Sequence, residues 1–123
     1  MSKILLVEDD LNTRAGLAEI LTEEGYEVVL AEDAARALEE IDSSTDLMLS
    51  DFELPGLTGL DLFRHVKQRY PGLISIMMTA YDPSEHSLYA RELGVHSFLG
   101  KPLNIEGLLS ILKDALRQGE ALR

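Results

Sequence analysis

The chain has 123 residues, enough for one compact domain with a single core, and it carries no internal repeat or low-complexity segment. Hydrophobic residues make up 46% of it, yet apolar runs such as Ile4-Leu5-Leu6-Val7 are far too short to span a bilayer. A net charge of −11, from 22 acidic against 11 basic side chains, repels phosphate backbones, and the absence of cysteine excludes disulfide and thiolate chemistry.

Ile4–Val7, bounded by Glu8-Asp9-Asp10, is predicted to be a buried strand. Leu17, Ile20 and Leu21 then give helical spacing, with Arg14, Glu19, Glu23 and Glu24 turned outward and Gly25 as the stop. Tyr26–Ala31 is a second strand. Asp33 is placed to cap a helix with Ala34, Ala37, Leu38 and Ile41 on its inward face. Leu47-Met48-Leu49 forms a third strand ending at Ser50-Asp51, followed by a loop with Pro55, Gly56 and Gly59. The next helix buries Leu62, Phe63, Val66 and Tyr70, and Pro71-Gly72 ends it.

Leu73–Met78 makes a fourth strand ending at Thr79-Ala80. Asp82-Pro83-Ser84 opens a helix with a poor apolar stripe of Leu88, Tyr89 and Leu93, stopped by Gly94. Ser97-Phe98-Leu99 is a short fifth strand before Lys101-Pro102. Asn104 caps a last helix with Ile105, Leu108, Leu109, Leu112 and Leu116 on one face. Residues 118–123 are either the end of that helix or the start of a connection to a further domain.

Continuous apolar strands joined through helices imply a doubly wound α/β fold, a parallel sheet covered on both faces. Right-handed crossovers place the C-terminal ends of all strands along one edge, where ligands bind in such folds. That edge receives Glu8, Asp9 and Asp10 from the first strand, Asp51 from the third, Thr79 from the fourth and Lys101 from the fifth. Any one of these is commonly a solvated surface group; four segments delivering polar groups to one rim is not a common accident.

In order and spacing, Val7-Glu8-Asp9, Asp51 with Leu54-Pro55-Gly56 and Gly59, Met78-Thr79-Ala80 and Lys101-Pro102 resemble the receiver domain of two-component response regulators. The resemblance covers essentially the whole chain. It implies a flavodoxin-like (βα)5 three-layer sandwich over residues 1–123, with the five-stranded sheet in the order 2-1-3-4-5. It further implies that Asp51 is the phospho-acceptor, since a carboxylate can attack phosphorus and form an acyl phosphate. Magnesium, or manganese in its place, would be held by Asp9 and Asp51, by Glu8 through a water, and by the backbone carbonyl of Glu53. Lys101 and Thr79 would stabilise the transferring charge, Ala80 would leave room for the donor, and the Lys101-Pro102 bond would be cis. Thr79 and Phe98 would form the switch, carrying the change to a surface made of the fourth helix, fifth strand and fifth helix.

The same resemblance implies a cytoplasmic protein whose partner is a sensor histidine kinase or a phosphotransfer protein. Output would pass to an effector domain or protein, or to a homodimer, with no membrane contact and no direct nucleic acid binding by this chain. Such a domain catalyses its own phosphorylation and autodephosphorylation without being a conventional metabolic enzyme. Two departures from the family pattern stand out. Glu8 replaces the commoner aspartate, and Glu53 and Tyr81 occupy positions that govern how water reaches the acyl phosphate. Asp10, Asp33, Asp42, Asp46, Asp61, Asp82 and Asp114 are assigned to the solvated surface, His65, His86 and His96 are expected to be exposed, and Tyr70 and Tyr89 to pack.

Three rivals share features with this scheme. A haloacid-dehalogenase-like phosphatase also uses an aspartyl phosphate with Thr or Ser, Lys and magnesium, but its additional acidic motif follows the lysine, whereas Glu8-Asp9 precede everything here. A flavodoxin-type flavin module would want a Ser/Thr-rich first loop instead of an acidic one. An interaction module independent of phosphorylation would not need Asp9, Asp51, Thr79 and Lys101 together.

Overall fold

The computed structural model of the chain describes residues 1–82, 84 and 87–121. Strands and helices alternate: β1 (Lys3–Val7), α1 (Leu11–Glu23), β2 (Glu27–Ala31), α2 (Ala34–Glu40), β3 (Leu47–Asp51), α3 (Gly59–Arg69), β4 (Ile74–Thr79), α4 (Ser87–Glu92), β5 (Ser97–Gly100) and α5 (Ile105–Ala121). All the strand pairs are parallel, in the order β2-β1-β3-β4-β5. No helix among the described residues is long and apolar enough to cross a membrane.

The unbroken apolar runs in the strands follow from having a helical layer on each face. Along β1, Ile4 and Leu6 pack with Leu17 and Leu21 of α1 and Leu108, Leu112 and Leu116 of α5. Leu5 and Val7 face the other way, toward Ala34 and Ala37 of α2, Leu62, Phe63 and Val66 of α3, and Ala90 of α4. The two cores are separated by the sheet alone, so a residue at a strand's C-terminal end emerges between two packed layers.

Side-chain caps fix where the helices begin. Asp10 accepts from the Thr13 N–H, Asp33 from the Arg36 N–H, Thr58 from the Asp61 N–H and Asn104 from the Gly107 N–H. Asp61 reciprocates by accepting from the Thr58 N–H, which completes a capping box. Asp10 and Asp61, read from sequence as plain surface acids, therefore have structural work. So do Asp46, which accepts from the Lys3 N–H, and Asp42, which pairs with the Lys3 ammonium at 3.3 Å.

Two apolar assignments differ from the sequence expectation. Leu38 is 43% exposed, because α2 is only seven residues long and buries the line Ala34–Ala37–Ile41. Leu38 instead borders a shallow groove with Pro55 and Leu57. On α4, Leu88 and Tyr89 are 71% and 49% exposed, and the helix is anchored by Ala90. Tyr89 packs on Arg64 rather than on the core: the guanidinium donates to the Tyr89 hydroxyl and lies 5.8 Å from the ring centre. Tyr70 packs half-buried as expected, and His65 and His96 are exposed. The helix opening at Pro83 and the placement of His86 lie outside the described residues.

The loop after β3 is closed by Gly59, whose N–H donates to the Phe52 carbonyl at 2.7 Å. A Cβ at Gly59 would fall 2.4 Å from the Asp51 carbonyl oxygen, so only glycine lets α3 start this close to the strand end. Gly59→Ala is expected to cost roughly 1–3 kcal/mol, the range for forced overpacking against rigid surroundings. Urea unfolding measures this, and a loss inside the noise would show that the loop has slack.

Candidate functional site

The register of the sheet brings the predicted residues to one rim. Val7 lies opposite Ser50, Asp51 opposite Met78, and Thr79 opposite Gly100, so Glu8, Asp51, Thr79 and Lys101 follow one another across four adjacent strand ends. The Lys101 N–H donates to the Thr79 carbonyl at 2.6 Å, tying the last two ends together. The Lys101-Pro102 bond is cis, as expected.

Lys101 is the hub. Its ammonium donates to Asp51 Oδ2 at 2.5 Å and to Glu8 Oε1 at 2.6 Å. Both acids are nearly inaccessible, with side chains 6% and 1% exposed. Burial pushes the Glu8 carboxyl up from its ordinary range, and its bonds to Lys101 and to the Asp10 N–H only partly offset that. Burial acts on Asp51 in the same sense, but Lys101, the Glu53 side chain and the Glu53 N–H, which donates to Asp51 Oδ1 at 3.0 Å, outweigh it and hold Asp51 low. Burial would lower Lys101 as well, yet its two carboxylate partners raise it. Asp51 is thus an anion, and Lys101 a cation, across the neutral range.

Asp9 is exposed beside this pair. One carboxylate oxygen from each of Glu8, Asp9 and Asp51 lies within 4.8 Å of the others, a span that suits a single hard cation with oxygen ligands. Of the four groups that the resemblance assigns to a metal, Glu53 adds no side-chain oxygen to this set of three, although its side chain lies against Asp51. Its Oε1 accepts from the Thr79 hydroxyl at 2.5 Å and from the Ala80 N–H at 3.3 Å. The sequence assignment of Glu53 used its backbone carbonyl, so the two findings are compatible. Ala80 is exposed at the mouth of the site, leaving the approach open. Phe98 is half-buried and meets Phe52 edge-on, 5.5 Å between ring centres.

Arg14 was missed by the sequence pattern, which turned it outward. Its guanidinium reaches back from the first turn of α1 and donates to the Glu8 carbonyl at 2.7 Å and the Asp9 carbonyl at 3.4 Å. The signal lay in its spacing, one helical turn after the Asp10 cap, which points a long basic side chain at the loop before the helix. Tyr81, 67% exposed, turns only its backbone inward, donating its N–H to Thr79 Oγ1 at 3.1 Å.

Removing the ammonium leaves two buried carboxylates facing each other. Lys101→Ala is expected to lose about 3 kcal/mol of unfolding free energy in metal-free buffer, the scale for breaking one side of a buried pair. A loss under about 0.5 kcal/mol, typical of a plain surface substitution, would mean that the acids do not depend on this lysine.

Comparison with known proteins gives a consistent picture. A sequence profile described as response regulator receiver domain matches residues 4–113. The transcriptional regulatory protein CpxR of Escherichia coli (strain K12) is 36% identical over 118 residues, covering 96% of this chain and 50% of that protein. The chain thus spans half or less of the length of the curated relatives it matches. A receiver domain protein (CheY-like) from Methanospirillum hungatei JF-1 superposes with a TM-score of 0.93 at 32% identity, over 100% of this chain and 99% of the other. The response regulator protein TrrA from Thermotoga maritima, solved in complex with Mg(2+)-BeF, gives 0.82 at 30% identity, over 94% and 99%.

Proposed function

This chain belongs to the response regulator receiver domain family, and on that premise we propose that Asp51 accepts a phosphoryl group from a histidine of a sensor kinase or phosphotransfer protein. The observation that carries this reading is the environment of Asp51: a buried anion gripped by Lys101, beside two further carboxylates close enough to share a cation. Asp51 attacks phosphorus with a carboxylate oxygen as the bond from phosphorus to the imidazole nitrogen breaks. The imidazole keeps that bond's electron pair, and an acyl phosphate remains on Asp51.

Glu8, Asp9, Asp51 and the Glu53 carbonyl are the groups that would hold magnesium, or manganese in its place. When bound, that ion supplies positive charge to the phosphoryl oxygens and relieves the repulsion among the acids. The closeness of the three carboxylate oxygens is the feature that fits it, and the solved relative with Mg(2+)-BeF supports the analogy. Lys101 already carries the charge needed to follow Asp51 into its phosphorylated form, and the Thr79 hydroxyl is the donor for a phosphoryl oxygen. Thr79 and Phe98 act as the switch, and α4, β5 and α5 form the output surface toward an effector domain, an effector protein or a second copy. Residues 1–123 serve as the receiver unit of this cytoplasmic system, with output in a longer chain or a separate protein. Receiver domains among the solved relatives, and the order of the acids, favour this reading over a dehalogenase-like phosphatase.

Three measurements test it. Asp51→Asn is expected to take up no phosphoryl group from a small acyl phosphate, followed as an acid-stable, hydroxylamine-labile adduct by mass; labelling that survives the substitution would sink the assignment. Asp9→Ala is expected to weaken magnesium binding by about tenfold or more in calorimetry, the scale for losing a group that orients or ligates a metal. Replacing Glu53 and Tyr81 by alanine is expected to change the autodephosphorylation rate of the acyl phosphate, and an unchanged rate would remove both from control of its lifetime.

A further inference from the structure

Glu53 divides its contacts between two strand ends. Its backbone N–H donates to Asp51 Oδ1 at 3.0 Å, so the main chain helps cradle the acceptor. Its side chain crosses to the end of β4, where Oε1 takes the Thr79 hydroxyl at 2.5 Å and the Ala80 N–H at 3.3 Å. The other oxygen, Oε2, is buried and receives no hydrogen bond from a donor among the described residues. Thr79 Oγ1 meanwhile accepts from the Tyr81 N–H at 3.1 Å. A hydroxyl has one proton to give. With a lone pair committed to Tyr81 and the proton committed to Glu53, Thr79 has nothing left to donate.

A phosphoryl group on Asp51 would present oxygens to these same β4 donors. Two anions cannot share them: one proton cannot serve both, and like charges in a partly desolvated site repel. We infer that the Glu53 carboxylate is a built-in occupant of the phosphoryl-oxygen subsite, a competing anion that must leave Thr79 and Ala80 before a phosphoryl group can be bound. The inference rests on Asp51 being the acceptor. The Oε2 that no described donor reaches makes departure favourable for one of the two oxygens, since release returns it to water. Glu53 is thus a positioning residue that sets how readily the site accepts a tetrahedral anion, by holding Thr79 in an already satisfied arrangement.

Occupancy and simple charge repulsion make different predictions, and side-chain length separates them. Glu53→Asp keeps the charge but is one methylene short of Thr79, Glu53→Gln keeps the reach without the charge, and Glu53→Ala keeps neither. The probe is beryllium fluoride with magnesium, titrated calorimetrically into the full chain. Wild type is expected to bind in an Asp51-dependent manner. Glu53→Ala and Glu53→Asp should both bind about tenfold tighter, the scale of one charge-assisted hydrogen bond no longer broken, with Glu53→Gln gaining less. The Ala80 amide proton should lose its hydrogen-bonded chemical shift in Glu53→Asp and in Glu53→Ala alike. Glu53→Asp binding like wild type while Glu53→Gln tightens would show repulsion alone and overturn the proposal. Wild-type binding with no gain in any variant would overturn the proposal and leave the receiver assignment standing. Binding by none of the proteins, wild type included, would bring down both.

Discussion

Two carboxylates that water scarcely reaches, Glu8 and Asp51, share the one positive charge of Lys101, and that ammonium joins positions 93 and 50 residues apart in sequence. Neither acid could be left in such a place alone, because an unpaired buried charge costs several kcal/mol. The sharing is unequal. Asp51, with the lysine and a backbone N–H, stays readily ionised, whereas Glu8, more deeply buried, is displaced toward its neutral form. With Asp9 added at the surface, the cluster carries more anionic than cationic groups in direct contact. Any cation that binds the folded rim and not the unfolded chain would therefore add stability by mass action.

The rim was legible because the chain announces it with abrupt changes of chemistry. Each central strand is mainly apolar and turns polar at or just past its C-terminal end: Val7 to Glu8, Leu49 to Ser50-Asp51, Met78 to Thr79. In a parallel sheet covered on both faces, such a switch marks the point where the chain leaves the core. Parallel topology then puts all those points on one side. The layered packing of Ile4 and Leu6 against α1 and α5, and of Leu5 and Val7 against α2 to α4, is the same alternation seen in the interior.

What escaped the sequence was decided by long side chains and short helices. Periodicity assigns Arg14 to solvent, and the family resemblance gives Glu53 a backbone role, yet both side chains reach several residues or a whole strand away to satisfy particular donors and acceptors. Nothing in a hydrophobic pattern encodes the direction of a flexible side chain. Leu38 and Tyr89 failed for the opposite reason. A helix of six or seven residues presents too few positions for its apolar stripe to specify orientation, so the neighbours decide which residues are covered.

Helix α4 has a slight hold on the core, and it follows the strand that ends at Thr79. Helix α4 is held through Ala90, with Val95 after it, while its larger apolar residues Leu88 and Tyr89 face outward. The segment before it leaves the rim at Thr79, whose hydroxyl bonds Glu53 on one side and takes the Tyr81 N–H on the other. Moving a helix held this way costs little compared with moving β3 or α3, whose apolar residues are almost entirely buried. A charge-assisted hydrogen bond is worth about 1.5–3 kcal/mol. That shifts a two-state equilibrium by roughly 10- to 150-fold, too little to rearrange a packed core but enough to redistribute an element whose two positions are close in energy. On the proposed reading, a single phosphoryl oxygen claiming the Thr79 proton would act where the fold offers least resistance, and the rest of the sheet would stay in place to hold Asp51 and Lys101 in register.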